Sequence, residues 1–138
     1  MNILVSACVL GKNCKYNGGN NLNKNVVEFV QNHNVIGICP ELLAGMKCPR
    51  ACVELVNGIV MSENGENLDD KYRKGVETAM EKIKGKKIDL AILQSRSPTC
   101  GANNIYDGSF SGTLIKGRGL FTKALLEKGI KVVDSENF

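Results

Sequence analysis

The sequence predicts an α/β fold, a doubly wound, mostly parallel sheet of the Rossmann or flavodoxin kind with a β-hairpin inserted in it. Three observations carry that expectation. Short, continuous apolar runs recur at 3–6, 35–38, 89–93 and 130–133, as strands buried on both faces do. Segments of helical periodicity separate them, and strands alternating with helices build parallel sheets. Between the second and third runs, Asn57-Gly58 joins two short β-type stretches, a pair that tolerates the positive φ values of a type I′ turn. A length of 138 residues fits one domain spanning 1–138.

Each element follows in order. Ile3 to Ser6 is a buried strand that ends in Ala7-Cys8, and the glycine- and asparagine-rich stretch from Gly11 to Asn23 is a loop. Leu22, Val26, Val27 and Val30 recur at helical spacing. Val35 to Ile38 is a second strand, stopped by Pro40, which cannot donate to a ladder. Val53–Val56 and Ile59–Ser62 form the hairpin. Leu68, Tyr72, Val76, Ala79, Met80 and Ile83 mark the clearest helix, with Asp69 and Asp70 at the end where the dipole favours acids. Asp89 to Leu93 is a third strand. Asp107 to Gly119 reads as extended loop, Leu120 to Glu127 as a short helix, and Ile130 to Val133 as the last strand.

Composition removes several function classes. The formal charge of +4 is mild and its lysines and arginines are scattered, so no dedicated nucleic-acid grip is expected. No apolar run approaches the length of a membrane span. Met1 to Val5 has neither a basic n-region nor a long h-region, so no signal peptide is expected and a reducing, cytoplasmic setting is.

In that setting six cysteines, Cys8, Cys14, Cys39, Cys48, Cys52 and Cys100, read as metal ligands or catalytic thiols more readily than as disulfides. Open parallel sheets place their sites beyond the carboxyl ends of the strands. Cys8, Cys39 and Cys100 follow three predicted strands there, and Cys14 lies in the first of those loops. One such cysteine would be an ordinary small hydrophobe; four at one rim suit a metal cluster. No Cys-x-x-Cys pair is present and the single histidine, His33, falls at a predicted helix end as a surface or capping residue. The local pairs of a structural zinc are thus missing, whereas iron–sulfur clusters take ligands from several loops. Arg96 to Gly101 is the second informative stretch. Pro98 biases Ser97 toward extended backbone, Gly101 permits close backbone approach, and Arg96, Ser97 and Thr99 offer polar groups. Glu41, just after Pro40, suits either a helix-start acid or a proton-transfer group.

Five segments in this order resemble one family: Val5-Ser6-Ala7-Cys8-Val9-Leu10-Gly11, Cys14-Lys15-Tyr16-Asn17-Gly18-Gly19, Cys39-Pro40-Glu41, Arg96-Ser97-Pro98-Thr99-Cys100-Gly101 and Tyr106-Asp107-Gly108-Ser109-Phe110-Ser111-Gly112. It is the small bacterial family, long described only as a domain of unknown function, that includes thiouracil desulfidase. The resemblance spans nearly the whole chain. It implies a [4Fe–4S] cluster held by three cysteines, drawn from Cys8, Cys14, Cys39 and Cys100. The open iron would polarise the sulfur of a small thiolated substrate, and carbon–sulfur hydrolysis would proceed without net electron transfer. It also implies acid–base work by Glu41 with help from Ser97. Asp107–Gly112, rich in Gly and Ser, suits either a cleft lining or a tight turn between strands. Cys48 and Cys52, flanking Pro49-Arg50, depart from the family's pattern. An extra cysteine ligand would close the open iron and leave a non-catalytic metal module, and a Cys48–Cys52 pair would suit a thiol redox module.

Overall fold

The computed structural model describes residues 1–138. Its centre is a four-stranded parallel sheet made of β1 (Asn2–Ser6), β2 (Asn34–Ile38), β5 (Leu90–Leu93) and β8 (Val132–Asp134), in the order β2-β1-β5-β8. Strand β1 pairs on both edges. Ile3 to Ser6 run against Val35 to Ile38 on one side, and Ile3 to Val5 against Leu90 to Ile92 on the other. The chain therefore steps one way from β1 to β2, then crosses to the opposite side of β1 for β5. That reversal is the topological switch point.

Period-two alternation along these strands sorts the core into two layers. Ile3, Val5 and Ile92 face Val9, Val26 and Val30, which come from a 3-10 turn at Ala7–Leu10 and from α1 (Lys24–Val30). Leu4, Ala91 and Leu93 face Tyr72, Val76, Ala79, Phe121 and Leu125, which come from α3 (Asp69–Ile83) and α4 (Leu120–Glu127). Aliphatic side chains thus fill both layers, as the lack of tryptophan requires. Each fully buried one contributes about 1.5–3 kcal/mol.

Outside the sheet stand two antiparallel hairpins. The predicted one joins β3 (Val53–Val56) to β4 (Ile59–Ser62), with both turn residues at positive φ, 51° for Asn57 and 81° for Gly58, as a type I′ turn demands. The second joins β6 (Asn104–Tyr106) to β7 (Leu114–Lys116), where the sequence reads as loop. Its strands are three residues long and Leu114 and Ile115 are exposed, so no alternation is long enough to be seen. A one-turn helix, α2 (Pro40–Leu43), is likewise too short for periodicity to reveal. Leu22 lies outside α1 and is exposed; Asn23 caps that helix instead, accepting from the backbone N–H of Asn25 and Val26.

Helix α2 is pressed onto α3 at Gly75. A Cβ built there would collide with the carbonyl oxygen of Pro40 and lie 2.8 Å from the Ala44 side chain. Gly75 thus sets how deeply the Cys39-Pro40-Glu41 segment seats at the sheet rim. Gly75→Ala should overpack this contact and cost about 1–3 kcal/mol, seen as a fall of several degrees in the thermal unfolding midpoint.

Candidate functional site

The carboxyl ends of β1, β2 and β5 open into a cavity of about 560 Å³. The switch point forms its floor, where the backbone N–H of Gln94 donates to Ser6 Oγ at 2.9 Å. The structure brings all four predicted thiols to this cavity: Cys8, Cys14, Cys39 and Cys100 line it together with Glu41 and Ser97. Each arrives on a different support. Cys8 sits in the 3-10 turn that follows β1, and Cys14 in the loop beyond, only 2% exposed. Cys39 is the residue immediately before α2, and Cys100 is buried in the loop after β5. All six cysteines are free.

Contacts within the cavity are short-range and polar. Cys39 Sγ donates to Glu41 Oε2 at 3.4 Å, and Cys39 and Cys14 are hydrogen-bond neighbours. Asn21 engages Cys8, and Ser6 engages Cys100. Glu41 sits in the first turn of α2 behind Pro40, so its backbone is that of a helix-start acid while its side chain reaches the thiols. Ser97 Oγ accepts from the backbone N–H of Thr99 and of Cys100, both at 3.1 Å. With its lone pairs occupied in this way, its own proton is left to donate.

Negative charge is poorly tolerated here. Burial pushes Cys8 up to about 11, reinforced by Cys14 and Glu41 nearby. Burial, and then Glu41, also raises Cys39 and Cys100. Cys14 moves the same way, chiefly through burial. Soft thiol donors crowded beside a carboxylate fit a centre rich in positive charge, which would offset what burial penalises. The four thiols line one cavity from several loops, a dispersion of ligands that iron–sulfur clusters accept.

Two residues that the sequence reading left out of the site also reach it. Arg50 donates through Nη1 to Cys48 Sγ at 2.9 Å and through Nη2 to the carbonyl of Cys14 at 3.1 Å. Burial opposes its charge, but Glu41, Tyr72, Cys48 and Cys39 outweigh that and raise its pKa. Tyr72, a core residue of α3, lines the same cavity, and burial raises its phenol to about 12. Only the Pro49-Arg50 pair hinted at the first; nothing in a helical stripe signals that one of its residues also faces a cavity.

Other expectations are redirected. Gly101 serves the chain itself, because a Cβ there would lie 2.8 Å from the carbonyls of both Ser97 and Asn104. Arg96, at φ 62°, spends its guanidinium on Glu136 at 2.5 Å. His33 Nδ1 lies 3.1 Å from the N-terminal amino group, away from the cavity.

Comparison with known proteins agrees with this geometry. The profile of the 2-thiouracil desulfurase family matches residues 3–137. The chain belongs to the 2-thiouracil desulfurase family. It is 32% identical to the uncharacterized Bacillus subtilis (strain 168) protein YbbK, across 98% of this chain and 95% of that protein. Among solved structures it resembles the [4Fe–4S]-dependent thiouracil desulfidase TudS (DUF523Vcz), with a TM-score of 0.91 and 30% identity over 99% of this chain and 92% of the other. The predicted doubly wound sheet and family membership are thereby borne out.

A thiol with a raised native pKa holds its proton more tightly folded than unfolded. For Cys8, about 11 in the fold against the ordinary 9.0, that stabilising contribution is complete below pH 9 and is lost as pH climbs through 11. The thermal midpoint of the metal-free chain should therefore fall between pH 9 and 11, and should fall less in Cys8→Ala, as circular dichroism would record.

Proposed function

We propose that this protein is an iron–sulfur-dependent desulfidase, which removes sulfur from a thiolated nucleobase or a similar thiocarbonyl compound by hydrolysis. The observation that carries this reading is the convergence of Cys8, Cys14, Cys39 and Cys100 with Glu41 and Ser97 on one cavity at the switch point. Family membership and the likeness to a [4Fe–4S]-dependent thiouracil desulfidase support the choice of cofactor and substrate class.

Cys8 and Cys100 would hold the cluster on opposite sides of the switch point, with the third ligand supplied by Cys14 or Cys39, which are neighbours. When bound, a [4Fe–4S] cluster with one iron free of protein ligands supplies a soft Lewis acid for a thiocarbonyl sulfur. The chain's own groups supply the rest. Glu41 takes one proton from the attacking water as its oxygen bonds to the thiocarbonyl carbon; the second water proton passes to sulfur as the carbon–sulfur bond breaks, so that hydrosulfide leaves and a carbonyl remains. No electron is gained or lost overall. Ser97, its lone pairs held by two backbone N–H groups, donates its hydroxyl proton in a hydrogen bond to the substrate. Tyr72, its phenol held neutral up to about pH 12, and Arg50 close the deep side of the cavity. Cys48, held by the Arg50 fork, is a partner of that arginine and not a cluster ligand.

Anaerobically prepared protein should carry iron and sulfide and should release hydrosulfide from at least one thiouracil; failure across several thiolated bases would overturn the substrate assignment. Cys100→Ser should lose the iron. Glu41→Gln should keep it while turnover drops about 10²-fold or more, the scale of one positioned acid–base group; full activity in that variant would remove Glu41 from its role.

A further inference from the structure

The chain has three tyrosines and four phenylalanines and no tryptophan. Four of these seven rings, Tyr16, Tyr72, Tyr106 and Phe110, line the one cavity that holds the thiols. Tyr72 belongs to the core. The other three need a different explanation, because Tyr16 and Phe110 are 43% and 36% exposed, and large aromatic side chains left at a cavity mouth bury little against the protein itself. Cys52 and, more weakly, Tyr106 lie near enough to Tyr16 to raise the pKa of its phenol.

Phe110 is held in an unfavourable conformation. Its φ is 56°, the left-handed region that a bulky side chain seldom occupies. The backbone on either side is fixed by a buried carboxylate on β3. Glu54, 8% exposed, accepts through Oε1 from the N–H of Gly108 at 3.0 Å and of Phe110 at 3.2 Å. The same segment crosses β3 so closely at Gly108, φ 93°, that a Cβ would sit 2.6 Å from the carbonyl oxygen of Leu55. A buried carboxylate engaging two loop amides and a strained backbone are costly features, and together they fix one aromatic ring at the mouth of the cavity.

We infer that Phe110, with Tyr16 and Tyr106, is the stacking surface that selects a planar unsaturated heterocycle, and that Glu54 is the positioning residue that holds Phe110 in place. Aromatic faces bind flat rings with little regard to their hydrogen-bonding edges. Such a wall admits thiolated pyrimidines as a class and disfavours puckered or open-chain thiocarbonyls. The chemistry in this inference rests on the desulfidase reading, whereas the ring site does not.

The test uses the cluster-loaded protein with 2-thiouracil and its saturated 5,6-dihydro analogue, and calorimetric binding of uracil, which has no sulfur to transfer. Phe110→Leu should raise KM for 2-thiouracil about tenfold, the order that stacking on one ring supplies, with kcat within about twofold and the preference over the dihydro compound largely lost. Phe110→Tyr should behave as the parent. Glu54→Ala should reproduce Phe110→Leu, while Glu54→Gln, whose amide oxygen still accepts from both N–H groups, should not. An unchanged KM in Phe110→Leu, or equal losses for flat and puckered rings, overturns the proposal. If neither thio compound turns over, the desulfidase reading falls and uracil decides: binding weakened about tenfold by Phe110→Leu upholds the ring site, and binding that is absent or unaffected removes it.

Discussion

The structure depends on the double pairing of β1. This strand hydrogen-bonds to β2 along one edge and to β5 along the other. Because both partners are parallel to it, all three strands end at the same rim. Because the chain reverses direction across the sheet at β1, the loops that leave those ends splay apart and open a cavity between them. Ser6 marks the junction, accepting from Gln94 on one side and engaging Cys100 above. The remaining architecture serves this arrangement: α1 and the 3-10 turn seal one face, α3 and α4 the other.

What the cavity collects is electrostatically awkward. Thiols and a carboxylate share a desolvated space, where burial first and then the carboxylate and neighbouring thiols make Cys8, Cys39 and Cys100 harder to ionise. Proteins confine such groupings to functional sites, since stability alone would favour apolar residues there. Arg50 tempers the charge from one side, spanning Cys48 and the Cys14 carbonyl. The glycine at 75 permits the tight docking of α2 that carries Cys39 and Glu41 to their places.

Much of this was legible in the residues. Continuous apolar runs gave away the parallel strands because both sheet faces are covered, and Asn57-Gly58 gave away the first hairpin through its backbone preferences. The four site cysteines could be grouped because strand ends in such a sheet share a rim. The second hairpin and α2 were hidden, since strands of three residues and a helix of one turn carry no period. The roles of Arg50, Glu54 and Tyr72 were hidden for another reason. Arg50 and Glu54 act through backbone groups far away in sequence, and Tyr72 belongs to a helical stripe whose core role masks its second face. Gly101 and Arg96 showed the converse, polar or small residues whose loop setting suggests a ligand but whose partners lie within the chain.

The thiols come from both halves of the sequence, and Cys100 lies on the far side of α3 from the other three. No stretch of unfolded chain can present them together, and neither can a nascent chain that has not yet reached β5. A centre bound by them must form late, after β5 has docked against β1, and its binding free energy then accrues to the folded state alone. The same residues that would perform chemistry would thereby act as a clasp between the first strand and the third, so that retention of the cofactor reports on the integrity of the fold.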